Sequence, residues 1–150
     1  MADDFAPLDR WLQDLASRLS PGERKRLSMA MLRELRRANA DRIARNVQPD
    51  GSGMEPRKPR KERRNKRMFR RLRLARNMRI KADADGGELG FASALIEKTA
   101  AAHHFGLEDY VGKTRTGRVI RTRYPRREII GFGRDDVERI QDAAIDHLAK

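Results

Sequence analysis

Apolar residues recur at helical spacing near the start of the chain. Leu8, Trp11 and Leu15 belong to a stripe with the spacing of one helix face, which predicts a first helix over residues 6–19. A second amphipathic stretch predicts a helix over residues 21–46. Its apolar face is expected to comprise Leu27, Met31, Leu35, Ala38 and Ile43. Its other positions are filled by Arg24, Lys25, Arg33, Arg36, Arg37 and Arg42.

The link between these two helices carries a specific signal for a helix start. Ser20 suits the N-cap, Pro21 suits the first helical turn, and Glu23 lies where it can close a capping box. Because the link is short, we expect the two helices to form an antiparallel hairpin.

A long polar loop and a basic helix are predicted next. Residues 48–66 contain almost no apolar side chain except Met54 and are rich in Pro and Gly, so we expect this loop to be mobile. A basic helix is predicted over residues 66–77. Its narrow apolar stripe could dock on the sheet or lie at a membrane interface, and its shortness favours docking. The stripe comprises Met68, Phe69, Leu72 and Ala75.

An alternation of apolar and polar residues then predicts strands. Met78 and Ile80 alternate with charged residues before the turn at residues 85–87, and the alternation resumes after it, which is typical of a β-hairpin. A second pair of strands is predicted over residues 110–124, where Pro125 stops the second strand.

Two further helices complete the prediction. One covers residues 92–104 and ends at Gly106, and the last begins after Gly133, which is interpreted as its N-cap. The resulting fold is α+β, with an N-terminal helical hairpin, an antiparallel sheet of about four strands and a C-terminal helix. We expect a single domain over residues 1–150, with the polar loop and basic insert at about 48–81. Residues expected to face the core in its second half are Leu95, Ile96, Thr99, Ala102, Ile129, Ile130, Phe132, Val137, Ile140, Ala144 and Leu148.

The charge of the chain is concentrated in one segment. The 150 residues carry a formal net charge of +13. Residues 57–81 hold 14 Lys and Arg side chains and one acid, Glu62, so this segment accounts for the whole excess. The remaining residues carry equal numbers of basic and acidic side chains. A balanced domain with one basic insert indicates a local contact with nucleic acid, a membrane surface or an acidic protein ring; a solvated face that binds nothing is the alternative.

The basic segment supplies the candidate contact residues. Phosphate neutralisation by Lys and Arg does not depend on base sequence, so nucleic acid of any sequence is one candidate for a non-specific contact. The candidates for contact with DNA or an assembly partner are Arg57, Lys58, Arg60, Lys61, Arg63, Arg64, Lys66, Arg67, Arg70 and Arg71.

Catalytic and metal-binding patterns are weak in this sequence. There is no Cys, which excludes disulfides, thiolate metal sites and a Cys nucleophile. His103 and His104 are adjacent, so they point about 100° apart on a helix. The preferred interpretation is that they face the negative end of the helix dipole. We therefore expect no enzyme activity, no metal and no cofactor. No apolar run approaches the length of a membrane span, and no secretory signal is visible, which predicts a soluble protein that does not contact a membrane.

Three stretches together resemble the phage virion morphogenesis family. The first is residues 8–45 with the Ser-Pro-Gly-Glu link, and the second is the loop at 46–57 that leads into a basic Met-Phe stretch. The third is the Tyr-Pro motif at 124–131 followed by a helix with an acidic start, and His104-Phe105-Gly106 matches the family's His-x-Gly element. The chain departs from the pattern at Gly133, where Ser is expected. The residues assigned to these structural motifs are Ser20, Pro21, Glu23, Asp50, Gly51, His104, Gly106, Tyr124, Pro125, Arg127 and Gly131.

The resemblance implies a structural role. Family members finish the phage tail and make it competent to join the DNA-filled head. Proteins at that position usually form rings, commonly hexamers, among other tail and neck proteins. The implied location is the virion tail or neck, and the host cytoplasm during assembly. The alternative function, from the residues alone, is a sequence-independent nucleic-acid-binding module that uses residues 57–81. That segment contains Phe69 as its one aromatic residue, which gives little support for stacking on single strands.

Overall fold

A computed structural model describes residues 5–59 and 67–150. Its elements, in chain order, are α1 (Ala6–Ser17), α2 (Pro21–Ala44), β1 (Met78–Ala82), β2 (Gly87–Phe91), α3 (Ala94–His104), β3 (Glu108–Lys113), β4 (Val119–Arg123) and α4 (Asp136–Leu148). Helices at both ends enclose four antiparallel strands, which confirms the α+β class.

The N-terminal helices have nearly the predicted bounds, but α1 makes few contacts with α2, so the expected packed antiparallel hairpin is not what the structure shows. The Glu23 backbone N–H donates to Ser20 Oγ at 3.3 Å, and the Ser20 backbone N–H donates to a Glu23 carboxylate oxygen at 2.9 Å. This capping box satisfies two amides that would otherwise lack partners at the start of α2. Hydrogen bonding of the Glu23 carboxylate with the Ser20 backbone N–H, and then with the Ser20 side chain, lowers the pKa of Glu23. α2 then runs for 24 residues and packs chiefly against α4 and the first pair of strands.

The four strands form two separate hairpins. β1 pairs with β2 so that Met78 lies opposite Phe91 and Ala82 opposite Gly87. Met78 is fully buried and belongs to a core cluster with Ile43 of α2 and Ile129. β3 pairs with β4 with a register shift between Tyr110 and Gly112, which is a β-bulge. The second hairpin remains largely exposed, whereas the first packs on α2.

The predicted basic helix does not form in the described residues. Residues 67–77 make a series of turns instead, and Phe69 has a φ of 56°, which a regular right-handed helix does not contain. Met68 and Leu72 are nevertheless buried and Phe69 is partly buried, so these three side chains of the stripe dock on the body, whereas Ala75 is exposed, contrary to the prediction. Core burial of Met68 and Leu72 does not require helical geometry. Lys66, the predicted first residue of that helix, lies outside the described residues.

Several residues expected in the core are exposed. Leu95, at 75% exposure, and Thr99 face solvent on α3, while Ala100 is buried instead; Ala102 is buried as expected. Two further residues that were expected in the core, Phe132 and Leu148, are also exposed. A helix that covers only one corner of a small core buries a narrow stripe, and here alanines allow the close approach.

The prediction for the start of α4 is also wrong. The helix begins at Asp136, after Asp135, so Gly133 is not its N-cap. The backbone N–H of Gly133 instead donates to Asp136 Oδ2 at 2.7 Å. A Cβ at Gly133 would lie 2.7 Å from Arg42 Nη1, so the close approach of this arginine requires glycine. No described helix is long and apolar enough to cross a membrane.

Candidate assembly surface

The first part of the predicted mobile loop is an ordered turn. The Gln48 backbone N–H donates to the Ser52 carbonyl at 2.8 Å, and Ser52 donates both its backbone N–H and its hydroxyl to Asp50 Oδ1. Gly51, with a φ of +89°, supplies the left-handed conformation that the turn needs. Hydrogen bonds from Ser52 lower the pKa of Asp50. Pro49 and Met54 are buried, so residues 46–54 pack on the body, contrary to the expected mobility.

Arg127 fastens this loop to the segment that follows β4. Its guanidinium donates to the Glu55 carbonyl at 2.5 Å and to the Pro56 carbonyl at 3.0 Å, and its side chain is almost fully buried. Its backbone N–H donates to the His103 carbonyl at 2.8 Å. Gln48 adds a second link, because its side-chain oxygen accepts from the Glu128 backbone N–H at 2.8 Å. Two sequence motifs that are about 70 residues apart along the chain therefore meet in one place.

Next to Arg127, the His103 ring packs between two aromatic side chains. It lies between Phe69, with ring centroids 4.8 Å apart, and Tyr124, with centroids 4.0 Å apart. Burial, with the nearby Arg127 charge, lowers the pKa of His103 to about 4. The imidazole is therefore neutral at pH 7. His103 does lie in the last turn of α3, as the sequence analysis placed it, but a neutral ring contributes packing there rather than charge.

His104 completes the link between α3 and the 124–131 segment. Its Nδ1 accepts from the Ile129 backbone N–H at 3.1 Å, which requires the neutral ring. Burial lowers the pKa of His104. Next to it, Gly106 has a φ of +66°, and a Cβ there would lie 3.2 Å from the Tyr124 carbonyl oxygen. The His-x-Gly element thus positions the irregular segment that carries Ile129.

A buried ion pair was missed by the sequence analysis. Arg42 donates to Asp136 Oδ1 at 2.9 Å and to Asp136 Oδ2 at 2.7 Å. The same guanidinium donates to the Gly131 carbonyl and to Asn39 Oδ1, and Asn39 Oδ1 also accepts from the Gly131 backbone N–H. Arg42 and Asn39 lie three residues apart on the apolar face of α2, and this polar pair within the stripe was the available signal.

Gly131, which belongs to this hydrogen-bond network, also lies close to the ordered loop. A Cβ at Gly131 would lie 2.9 Å from Pro49 Cγ of the ordered loop. Five motif residues therefore form one connected region near the C-terminal end of α2. They are Asp50, Gly51, His104, Arg127 and Gly131. Ser20, Pro21 and Glu23 lie at the opposite end of that helix, about 36 Å away at 1.5 Å per residue. Pro125 is exposed, and its neighbour Tyr124 donates its backbone N–H to the Leu107 carbonyl.

The candidate contact residues divide into described and undescribed positions. Arg57, Lys58, Arg67, Arg70 and Arg71 are exposed. The positions outside the described residues are Arg60, Lys61, Arg63, Arg64 and Lys66. The two described flanks of the basic segment, residues 57–59 and 67–71, are both attached to the body. The first is held by the hydrogen bond from Arg127 to the Pro56 carbonyl, and the second by a hydrogen bond from the Met68 backbone N–H to Asn46 Oδ1.

The described flanks of the basic segment present positive charge to solvent. The described residues contain no cluster of three or more His, Asp or Glu side chains that could hold a metal ion. The histidines and the buried ion pair are instead used to hold segments together. The surface is suited to binding an acidic partner.

Comparison with known proteins decides the family. The model of the phage virion morphogenesis family matches residues 3–149, which is nearly the whole chain. The chain belongs to the phage virion morphogenesis family. It is 29% identical over 153 residues to tail completion protein S of Escherichia phage P2, with 99% of each chain covered. No solved structure matches. Both matches support a structural role in the phage tail.

Proposed function

We propose that this virion morphogenesis protein completes the phage tail and supports its joining to the head. The full-length similarity to tail completion protein S carries this proposal, because it extends over every element of the fold rather than over one motif. In this proposal the protein works as a subunit of a ring, with a hexamer favoured, at the tail end or neck. It is a structural protein and not an enzyme, and other tail and neck proteins are its partners. It is assembled in the host cytoplasm and remains in the virion tail.

The exposed basic side chains supply the contact with an acidic neighbour or with DNA. Lys58, Arg70 and Arg71 project from flanks that are fixed to the body, so their charges are held in place with little loss of order on binding. The rest of the chain is electrically balanced, and this segment therefore dominates long-range attraction. A contact with packaged DNA through these residues would be independent of base sequence.

Genetic complementation tests the role. The gene is deleted from the virus that encodes the chain, and wild-type protein is supplied from a plasmid. We expect tails without heads in the deletion and head-joined particles after complementation, counted by electron microscopy. Normal numbers of head-joined particles without the protein would contradict the proposal.

Charge reversal tests the basic surface separately. We expect Lys58→Glu with Arg70→Glu and Arg71→Glu to keep native helicity but to reduce head-joined particles. The matched control reverses three exposed charges elsewhere, Arg10, Lys25 and Arg139. If both triple variants give the same number of head-joined particles, the basic surface is a solvated face that makes no contact needed for joining. If the wild type selects one DNA sequence strongly at moderate salt, a dedicated nucleic-acid module becomes the better function, because phosphate contacts do not discriminate bases.

A further inference from the structure

The β3–β4 hairpin has an outward face that the described residues leave uncovered. This face carries Glu108, Tyr110, Lys113, Val119, Arg121 and Arg123. Tyr110 and Val119 are each 50% exposed. On the opposite face Asp109 and Thr122 are partly buried, and Asp109 pairs with Lys98 of α3 at 3.6 Å. Ile120 on the same face is 41% exposed, so only part of that face packs on the body. The outward face presents Tyr110 and Val119 to solvent together with three basic side chains.

A separate apolar groove lies between β2, α3 and residues 129–132. Its volume is about 550 Å³, and apolar side chains dominate its walls. Phe105, at 62% exposure, and Phe132, at 49%, stand at its surface. Its charged lining residues are Glu88 and Glu97, with no Lys or Arg among the described residues that line it. Glu88 pairs with Lys81 at 3.0 Å, and His104 in the wall is neutral.

We propose that the outward face of the β3–β4 hairpin of one copy packs into this groove of a second copy. The two surfaces complement each other in polarity, because each presents exposed apolar side chains that gain from burial. They also complement each other in charge. The outward face carries three basic side chains and one acid, Glu108, which lies 3.9 Å from Arg121, whereas the two charged residues that line the groove, Glu88 and Glu97, are both acidic. The hairpin side chains Arg121 and Arg123 face Glu88 and Glu97 across this contact.

The contact joins two different surfaces of the same chain. No residue of the outward hairpin face lines the groove, so the interface is heterologous. A heterologous contact leaves a free hairpin and a free groove at the two ends of each pair, and it repeats until a ring closes. The inference thus rests on the proposed ring function and deepens it by naming the subunit interface.

Cysteine crosslinking tests the contact in a chain that has no native Cys. The full-length Tyr110→Cys variant is mixed with a mass-tagged Phe105→Cys variant and oxidised. We expect a disulfide-linked heterodimer to form at least about tenfold faster than in the control mixture of Tyr110→Cys with Ile145→Cys. Ile145 is 54% exposed on α4 and does not line the groove, so it matches Phe105 in accessibility. Equal rates in the two mixtures would overturn the proposal. Phe132→Cys, on the other side of the groove, repeats the measurement in case one variant folds poorly.

A charge swap then tests the orientation of the contact. Arg121→Glu with Arg123→Glu in the hairpin partner should slow the crosslink, and Glu97→Lys in the groove partner should slow it as well. The two changes combined should restore the rate, because opposite charges face each other again. A combination slower than either change alone would show that these groups do not meet.

The results separate this contact from the role in tail completion. If deletion and complementation support tail completion but the crosslink fails, the proposed function stands and the interface lies elsewhere. If the crosslink forms but the deletion leaves head-tail joining unchanged, the chain self-associates through this contact and the proposed function is wrong.

Discussion

Arg42 of α2 and Asp136 of α4 form a buried, two-pronged ion pair across 94 residues of sequence. The guanidinium also donates to the Gly131 carbonyl and to Asn39, so one side chain connects two helices and the segment between β4 and α4. A buried charge in such a network is costly when its partner is removed, because neither water nor another group replaces the lost hydrogen bonds.

Removal of one partner of this pair should destabilise the fold strongly. We expect Asp136→Ala to lower the free energy of unfolding by about 3–5 kcal/mol, as measured by denaturant titration. The double variant Arg42→Met with Asp136→Leu should recover much of that loss, since no unpaired charge remains. The control is the exposed pair Lys81–Glu88, where Glu88→Ala should cost less than about 1 kcal/mol. Similar losses for Asp136→Ala and Glu88→Ala would contradict the assigned burial.

Truncation of the central apolar side chain should have a comparable effect. Ile129 is 1% exposed and packs in the same cluster as Ile43 and Met78. We expect Ile129→Ala to cost about 2–5 kcal/mol by the loss of burial and the cavity left behind. Leu95→Ala, at a position 75% exposed, should change stability by less than about 0.5 kcal/mol. A large effect at Leu95 in the isolated chain would restore the sequence prediction that it faces the core.

Stability should fall with acid in a window set by His103. The folded state holds the pKa of His103 at about 4, below the ordinary value of 6.5. The unfolded chain therefore takes up the proton first, and the stabilisation that is present above pH 6.5 is lost as the pH falls towards 4. The lowered pKa of His104 acts in the same direction. Thermal melts between pH 7 and 4 should show a weaker pH dependence in His103→Gln than in wild type. His147→Gln, in the last turn of α4, is the control, and a pH dependence unaffected by His103→Gln would contradict this account.

Arg127 should control access to the basic segment. In Arg127→Ala the Glu55 and Pro56 carbonyls lose their donors, so residues 55–57 should detach from the body more often. We expect trypsin to cleave after Arg57 several-fold faster than in wild type, as followed by mass spectrometry. Arg126→Ala is the matched control, because Arg126 forms an exposed pair with Glu128 instead. Equal rates in both variants would mean that Arg127 does not hold the loop.

The wild-type chain carries a related prediction. The first tryptic cuts are expected between Arg57 and Arg64, because that stretch is polar and rich in basic residues. Most of it lies outside the described residues. First cuts inside residues 27–45 would contradict the division of the chain into a body and a basic insert.

Local patterns in the sequence determined most of the elements. The capping box at Ser20 and Glu23, the turns of both hairpins and the glycine end of α3 were predicted because each depends on a few neighbouring residues. The family could also be predicted from the sequence, because the motifs that carry the resemblance are contiguous stretches of the chain. The tertiary structure alone decided which of these elements meet. Arg42 was grouped with the charged positions of α2, yet its partner Asp136 lies 94 residues away, and no local pattern encodes such a pairing. The basic helix failed for a related reason: Met68 and Leu72 need only reach the core, and burial by turns satisfies them as well as a helix does. Periodicity reports which side chains favour burial, whereas the space left by Ile43, Met78 and Ile129 determines which of them are buried and in what backbone conformation.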